Sequence, residues 1–330
     1  MSAAKRPETS HGAAVPHVSV VVPTHARPES LSRALRHLIA QDWPADSFDI
    51  HVVHNRSADD TEARVAAIAA ETPVRIRYSL RDGRGPAPSR QFGAMEAEGS
   101  IIAFIDDDCE PAPGWIAAGV AAFGAETGMV QGRNLPNPGH ARHLFEKTVN
   151  VPGPSPYFET CNIFYRAEAF HAAGGFEGPF ADVFFGEDTD LGNRVLAAGW
   201  AYAFAPEALV HHDVTRQSVM RWLMECWHLR NIPMLVRLWP SMRRELFLGV
   251  FLSRQSAAFD LGLLGLLAAP FTSWLTLLLM LPFFFVRLFE PGRYRNPLAV
   301  ALRALFGLPR SVVTFAALLR GSIRHGSLVL

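Results

Sequence analysis

The sequence predicts an α/β fold, in which a doubly wound, Rossmann-like sheet is followed by apolar and amphipathic helices. Two observations support this prediction. Apolar runs of strand length alternate with segments of helical spacing over the first hundred residues, and the composition changes near residue 213. Alternating strands and helices of this kind form parallel strands with right-handed crossovers. The chain of 330 residues is long enough to bury a substantial core in one large domain or in two.

Each predicted element rests on a local pattern. Buried parallel strands are continuous apolar runs, whereas amphipathic helices repeat apolar residues every three or four positions. In order, the patterns predict a strand over 18–22, a helix over 29–41, a strand over 48–53, a helix that begins near 59–61 and passes through 68, a strand over 74–78, a helix over 89–97 and a strand over 101–105. Pro23-Thr24 ends the first strand, and 83–88 is a turn-rich link.

Three consecutive carboxylates, Asp106, Asp107 and Asp108, directly follow the fourth predicted strand. Open α/β sheets bind ligands at the carboxyl ends of their strands. Adjacent carboxylates repel one another unless a cation compensates them, and a hard divalent ion with oxygen ligands is suited to that task. The alternative is a solvated acidic turn.

A second acidic group, Glu187 and Asp188, stands where a helix is predicted to begin. Carboxylates are stabilised there by the free amides and by the helix dipole, so simple capping is the alternative to a catalytic role. A strand over 202–205 follows, and 206–212 closes this part of the chain.

The net charge of zero conceals an asymmetry. Residues 213–330 hold 14 Arg, no Lys and five acidic residues, which is a surplus of nine positive charges, and the first 212 residues hold the opposite surplus. A basic region favours phosphate-rich partners. The cysteines at 109, 161 and 226 are too few and too widely spaced for a disulfide framework or a cysteine metal site, and they suit a reducing compartment. Residues 1–17 lack the apolar segment of a secretory signal and are predicted to form a flexible tail.

Some classes of function are disfavoured. No GxGxxG follows the first strand and no GxxxxGK[ST] occurs anywhere, which counts against dinucleotide cofactors and ATP hydrolysis.

Five motifs in order give the chain a family resemblance. They read VSVVVPTHARPE, GRGPAPSRQFGA, IAFIDDDCEPAPGW, NIFYRAEAFHAAGGF and GEDTDLGNRVLAAGW, all within residues 18–212. With these motifs the chain resembles an inverting family 2 glycosyltransferase of the GT-A fold, the fold of nucleotide-diphospho-sugar transferases. The resemblance implies a glycosyltransferase domain over 18–212, preceded by the tail of residues 1–17.

The resemblance also implies roles for individual residues. Asp188 matches the general base, with Glu187 beside it. Asp108 of the DXD pattern matches a ligand of a divalent metal, Mn²⁺ or Mg²⁺, and His212 matches a second ligand. The donor-side positions are Pro23, His25, Arg27, Asn55, Arg90 and Asp106, the last facing the ribose. The partners implied are a nucleotide-sugar donor and a glycan or lipid-linked acceptor, without nucleic acid.

The chemistry of an inverting transfer requires two acidic groups. A carboxylate must take the proton of the acceptor hydroxyl, and a divalent ion can stabilise the departing nucleoside diphosphate. DDD and GEDTD supply both groups about eighty residues apart.

The chain departs from the family pattern after the second strand, where His54-Asn55-Arg56-Ser57 replaces the usual V-D-[DN]-G-S. His25 also replaces a common Tyr. These departures leave the donor base open, and His54 has the alternative of hydrogen-bonding a loop. They also support a rival hypothesis, a catalytically silent nucleotide-sugar-binding scaffold at the membrane. A nucleotidyltransferase is disfavoured because the Gly-rich, Lys-bearing phosphate loop is missing.

Residues 213–330 are predicted to form a basic, membrane-associated helical region with an apolar segment at about 246–289. Residues 261–286 carry no charge and are long enough to cross a bilayer. Pro270 and Pro282 interrupt the run, so a hairpin that shelters Arg254 and Asp260, or a re-entrant segment, is an alternative, as is a buried helix pair. The last stretch, with its arginines among apolar residues, suits amphipathic helices on anionic lipid. We expect the protein at the inner (cytoplasmic) membrane, with its catalytic domain facing the cytoplasm.

Overall fold

A computed structural model of the chain describes residues 15–83, 85–181, 183, 185–289 and 297–330. Most of the predicted tail, residues 1–14, and Arg84 of the turn-rich link lie outside the described residues. The strands are β1 (Val18–Thr24), β2 (Phe48–Asn55), β3 (Arg75–Arg81), β4 (Ile101–Ile105), β5 (Cys109–Pro111), β6 (Thr127–Pro136), β7 (Glu146–Lys147), β8 (Asn162–Arg166), β9 (Ala201–His212) and β10 (Thr215–Arg216).

The helices of the described chain follow the same numbering. They are α1 (Pro28–Ile39), α2 (Thr61–Ala69), α3 (Pro86–Met95), α4 (Trp115–Ala121), α5 (Ala167–Ala172), α6 (Glu187–Ala197), α7 (Val219–Met224), α8 (Ile232–Leu238), α9 (Arg254–Ala268), α10 (Leu281–Leu288) and α11 (Pro297–His325). Short 3₁₀ segments span Glu225–Asn231, Pro240–Glu245, Ala269–Phe271 and Trp274–Met280.

Eight strands form one mixed sheet in the order β3-β2-β1-β4-β8-β6-β9-β5. Strands β1 to β4 pair in parallel, which confirms the predicted first half of the sheet. β1 continues through Pro23 and Thr24 instead of ending at Val22. Its pairing with β4 stops at Val21, so the missing N–H of Pro23 costs no ladder hydrogen bond on that side.

The second half of the sheet differs from the first. β8 runs antiparallel between β4 and β6, and β9 is far longer than the strand predicted over 202–205. Its pairing with β6 jumps from Gly132↔Ala205 to Arg133↔Leu209, so residues 206–208 bulge out before the strand resumes. Pro206 marks this bulge, where a residue without an N–H is tolerated.

The apolar run at 261–286 does not form the single straight span that its length allows. Pro270 and Pro282 each begin a new short helical segment, because proline cannot occupy a helix interior without losing a hydrogen bond. The chain folds back, and Thr276 Oγ1 donates to the carbonyl of Gly265 in α9 at 2.9 Å. Within the described residues, Leu298–His325 of α11 is the one helix long and apolar enough to cross a bilayer.

The predicted hairpin would shelter two charged residues, Arg254 and Asp260, which do not form an ion pair with each other. The Arg254 guanidinium is 6.0 Å from the Phe247 ring centroid, whereas Asp260 lines a cavity beside α11.

The C-terminal region packs against the sheet domain. Phe180, from before α6, shares a buried cluster with Ile232 and Leu235 of α8 and with Leu318 of α11. The indole N–H of Trp239 donates to Asp190 Oδ1 in α6 at 2.9 Å. The two parts of the chain therefore share a hydrophobic core and a polar contact close to the second acidic group.

Candidate active site

One cavity of about 680 Å³ lies at the carboxyl ends of the parallel strands, a volume in the range of small-molecule sites. Its walls include every residue that the sequence marked as catalytic, donor-binding or metal-binding: Pro23, His25, Arg27, Asn55, Arg90, Asp106, Asp108, Glu187, Asp188 and His212. The fold thus brings together side chains that are up to 189 positions apart in the sequence.

The register of two strands pairs Asp108 with His212. Cys109 of β5 lies opposite His212 of β9, and His212 Nε2 lies 3.3 Å from Asp108 Oδ1. The other ring nitrogen, Nδ1, donates to the carbonyl of Asp213 at 2.8 Å. With a proton on Nδ1, His212 directs Nε2 at a carboxylate oxygen, and Nδ1 makes the outer hydrogen bond that histidine ligands usually make.

These two side chains suit a divalent cation. Ligand atoms of Asp108, Cys109 and His212 lie within 4.8 Å of one another, so one cysteine adjoins this candidate metal site. The three cysteines do not come together there, as their spacing predicts. Burial, together with nearby Asp108, holds the pKa of the Cys109 thiol well above its usual range. Since a thiol must ionise to be a good ligand, Asp108 and His212 are the better donors.

Arg27 compensates the same carboxylates in this structure. Its Nη1 is 2.6 Å from Asp108 Oδ2 and 3.0 Å from Asp107 Oδ1. The preceding residue, Ala26, has a φ of 54°, a left-handed conformation that is uncommon for alanine and is often found at functional loops. The loop after β1 thus turns the guanidinium onto the acidic group.

The second acidic group stands at the start of α6. Gly186 precedes it with a φ of 112°, a conformation that glycine adopts without strain. Asp188 accepts two hydrogen bonds from Thr160, at 3.0 Å from the backbone N–H and 2.8 Å from the hydroxyl. The carboxylate is therefore fixed by a residue of another segment rather than serving only as a helix cap.

Arg90 connects the two acidic groups. It is buried, and its guanidinium lies 2.6 Å from Asp106 Oδ1, 3.6 Å from Asp188 Oδ1 and 3.8 Å from Glu187 Oε1. Burial opposes its charge, but these carboxylates hold its pKa above the ordinary value. One permanent cation therefore sets the electrostatics of both groups.

The carboxyl groups of the first and second acidic groups that lie nearest Arg90 differ in the direction of their pKa shifts. Burial favours the neutral form of Asp106, but Arg90 outweighs it and lowers the pKa of that carboxyl. Burial and the neighbouring Asp188 raise the pKa of Glu187 to about 7. Burial likewise raises the pKa of Asp188, although Arg90 and Thr160 oppose the shift.

The pKa of Asp107, the central carboxyl of the first group, is also shifted. Burial and Asp108 raise its pKa to about 7, against the opposing effects of Arg27 and of the Thr24 hydroxyl, which donates to Asp107 at 2.7 Å.

The departure from the family pattern begins with the last two residues of β2, His54 and Asn55, and continues into the loop that follows. His54 does not line the cavity; its Nδ1 is 2.8 Å from the Tyr78 hydroxyl and its Nε2 is 2.7 Å from Ser57 Oγ. Because Ser57 donates its proton to Asp59, the His54 ring donates at Nε2 and accepts at Nδ1. His54 thus has the loop hydrogen bonds that the sequence left as an alternative to a donor contact, and Asn55 is the residue that reaches the cavity.

Several lining residues were not identified in the sequence. Thr24 and Thr160 hold acidic side chains of the two groups, and Glu159 and Lys147 line the same cavity. Thr160 stands two residues before the NIFYR motif, but no spacing rule connects it to Asp188. The C-terminal region also contributes apolar lining residues, namely Leu229, Ile232 and Leu252.

The chain is similar to known glycosyltransferases in sequence. The profile of glycosyl transferase family 2 matches residues 19–181. Glycosyltransferase AglE of Haloferax volcanii is 24% identical over 241 residues, which cover 66% of this chain and 78% of that protein. Validoxylamine A glucosyltransferase of Streptomyces hygroscopicus subsp. jinggangensis is 28% identical over 284 residues, which cover 73% of this chain and 65% of the relative.

A solved structure shares the fold. The mannosyltransferase PcManGT from Pyrobaculum calidifontis, in complex with GDP-Man and Mn²⁺, superposes with a TM-score of 0.59 and 17% identity over 94% of this chain and 87% of that one. The sheet is accordingly of the GT-A type, as the motifs predict. Motifs, fold and relatives together identify residues 19–181 as a glycosyltransferase domain of family 2.

Proposed function

We propose that this transferase moves a sugar from a nucleotide-sugar donor to an acceptor hydroxyl and inverts the anomeric carbon. The observation that carries the proposal is the position of Arg90, which lies between Asp106 and the Glu187–Asp188 pair in one cavity. A donor-side and an acceptor-side acidic group thus meet at one place, as the reaction requires.

Asp188 is the base in this proposal. It takes the proton of the acceptor hydroxyl as that oxygen forms a bond to C1 of the sugar. The bond from C1 to the diphosphate oxygen breaks on the opposite face, and the nucleoside diphosphate leaves with the bonding electrons. The hydrogen bonds from Thr160 aim the carboxylate, and Glu187 adjusts its proton affinity.

The donor half uses the other group. Asp106 binds the ribose, while Pro23, His25 and Asn55 surround the nucleotide. Asp108 and His212 would hold Mn²⁺ or Mg²⁺, which would supply a Lewis acid for the diphosphate. Arg27 pairs with Asp107 and Asp108 and brings a positive charge to the side of the cavity that we assign to the diphosphate.

The C-terminal region attaches the enzyme to a membrane in this proposal. Phe271 and Trp274 are 87% and 71% exposed, and such apolar surface marks an interaction site. The enzyme then acts at the inner membrane, facing the cytoplasm, on a lipid-linked or growing surface glycan. Flotation of the whole protein with anionic vesicles tests the attachment, which the double change Phe271→Ser and Trp274→Ser should weaken. Equal flotation of this variant would contradict it.

The function itself is tested by calorimetric titration of the detergent-solubilised protein with UDP-, GDP- and dTDP-sugars, with and without Mn²⁺. We expect one nucleotide to bind only with the metal, and mass spectrometry then to detect its diphosphate as a product. Binding without any transfer or hydrolysis would favour the silent scaffold instead.

A further inference from the structure

A second cavity, of about 230 Å³, lies in the C-terminal region beside α11. Leu229 and Leu252 line both this cavity and the catalytic one. The two cavities are therefore neighbours, and a ligand in one lies next to a ligand in the other. No step of the proposed transfer uses the second cavity.

The lining of the second cavity is basic. Among its described residues are three arginines, Arg287, Arg303 and Arg310, and one acidic residue, Asp260, which leaves a positive surplus of two. The hydroxyl groups of Ser253 and Ser311 lie among them, whereas those of Ser256 and Thr314 donate to backbone carbonyls of the protein. Guanidinium and hydroxyl groups are the donors that proteins use for phosphate oxygens.

Trp222 holds two of the arginines in place. This buried indole has the Arg310 guanidinium 4.2 Å from its ring centroid and that of Arg303 at 5.9 Å. Arg310 Nη1 also donates to the Trp222 carbonyl at 2.6 Å, the one hydrogen bond that the described residues give its guanidinium. Since a guanidinium has five N–H groups, Arg310 retains donors for a ligand.

The opposite face of α11 is apolar and exposed. Leu298, Leu305, Val312 and Leu319 are 65%, 63%, 53% and 37% exposed and follow one another at intervals of seven, which places them on one stripe. Arg303 and Arg310 each precede a member of this stripe by two positions, roughly 200° around the helix.

The distance across the helix, from the apolar stripe to the arginines, matches the distance from the acyl chains to the phosphates at a bilayer surface. A helix is about 10 Å across, and interfacial helices bury their apolar face roughly 5–10 Å into the boundary of headgroups and acyl chains. With the stripe in contact with acyl chains, the arginines on the far side lie at the level of lipid phosphates.

We propose that the second cavity binds the phosphate group of a membrane lipid and holds it beside the catalytic cavity. This proposal rests on the membrane attachment in the proposed function. Arg310 provides charge-assisted hydrogen bonds to the phosphate, Arg303 adds positive charge to the lining, and Trp222 lies against both guanidinium groups.

The test is calorimetric titration of the whole protein in neutral detergent, without donor. The probe is dihexanoyl phosphatidic acid, compared with dihexanoylglycerol and with inorganic phosphate. We expect the lipid phosphate to bind more tightly than both. Arg310→Gln and Arg303→Gln should each weaken it about tenfold or more, since hydrogen bonds to charged groups contribute roughly 1.5–3 kcal/mol. Arg320→Gln, an exposed residue of the same helix, is the matched control and should bind as the wild type does.

Equal binding of dihexanoylglycerol or of inorganic phosphate would overturn the proposal, as would wild-type affinity in Arg310→Gln. Arg310→Lys keeps the charge and should bind the lipid phosphate with intermediate affinity. This variant replaces Arg310→Gln in the test if circular dichroism shows that Arg310→Gln is misfolded. Two measurements separate the two proposals: titration of Asp188→Asn with the lipid phosphate, and sugar transfer by the wild type. If the variant binds the lipid phosphate but the wild type transfers no sugar, only the transferase function is contradicted. If the wild type transfers sugar but no lipid phosphate binds, only this site is contradicted.

Discussion

The two acidic groups of the cavity have similar composition but different surroundings. Asp106, Asp107 and Asp108 face two arginines and a histidine. Glu187 and Asp188 lie farther from Arg90, at 3.8 and 3.6 Å, and Asp188 is held by the neutral donors of Thr160. Asp106 and Asp108 thus contact arginine directly, whereas the nearest donors to Asp188 are uncharged.

In the proposed function, position in the fold, rather than residue type, divides the work between the carboxylates. A base must be able to accept a proton near neutral pH, which burial without full charge compensation permits. A metal ligand must be ionised, and a neighbouring cation favours that form, as Arg90 does for Asp106. Predictions that separate the two groups test this division.

The largest effect is expected from Asp188→Asn. The variant cannot take the acceptor proton, so kcat/KM should fall by about 10²–10⁴-fold, as measured by release of the nucleoside diphosphate. Glu168→Gln is the control, because Glu168 also stands in the first turn of a helix but is exposed outside the cavity. If Asp188→Asn kept the wild-type kcat/KM, Asp188 would not be the base.

A second effect is expected from Asp108→Ala. Loss of a metal ligand should weaken Mn²⁺ binding by at least about tenfold, measured by electron paramagnetic resonance of the free ion. Glu110→Gln, two residues along, should retain the wild-type affinity because Glu110 contacts Arg33 and Asn137 instead. If both variants bind Mn²⁺ as the wild type does, the metal lies elsewhere.

The pH dependence distinguishes the groups further. With a raised pKa, Asp188 takes up a proton at a higher pH than an ordinary aspartate does, so activity should fall as the pH is lowered. The pKa of its neighbour Glu187 is raised to about 7. Glu187→Gln removes one of the like charges, and the acidic limb of the pH–rate profile should move to lower pH. An unmoved limb would show that the two carboxyls are not coupled.

Stability should follow the opposite trend. The folded pKa of Glu187 lies above its unfolded value of 4.5, so its contribution is fully present below that value and is lost as the pH rises through about 7. Urea denaturation should therefore show Glu187→Gln gaining stability relative to the wild type between pH 5 and pH 8. A constant difference would contradict the raised pKa.

The smallest effect is expected at Tyr78→Phe, outside both groups. The change removes one hydrogen bond from His54. It thereby loosens the end of β2, where Asn55 stands. The KM for the donor should rise about 2–10-fold, since a neutral hydrogen bond contributes roughly 0.5–1.5 kcal/mol, with kcat unchanged. A fall in kcat instead would connect the end of β2 to the acceptor side.

Much of the parallel half of the fold was predictable because its signals are local. The apolar runs of β1, β2 and β4 are buried along their whole length, and the DDD and GEDTD motifs stand directly at element ends. The family and the GT-A fold followed from the order of such motifs.

The remaining features depend on contacts between distant segments. β8 enters antiparallel between strands that precede it in the chain, and no local pattern specifies that pairing. The partnership of Thr160 with Asp188 depends on this strand, and the Asp108–His212 contact depends on the register of β5 with β9. In the C-terminal region the apolar composition was evident, but proline positions did not predict the helix lengths. Pro270 and Pro282 lie in the first turns of short segments, whereas Pro309 lies inside the long helix α11.

The most direct test of the division between the groups is donor titration of Asp188→Asn and Asp108→Ala, with and without Mn²⁺. We expect Asp188→Asn to bind the donor with wild-type affinity and metal dependence, and Asp108→Ala to lose the metal-dependent part of binding. Loss of donor binding in Asp188→Asn, or its full retention in Asp108→Ala, would contradict the assignment of one group to the metal and the other to the proton.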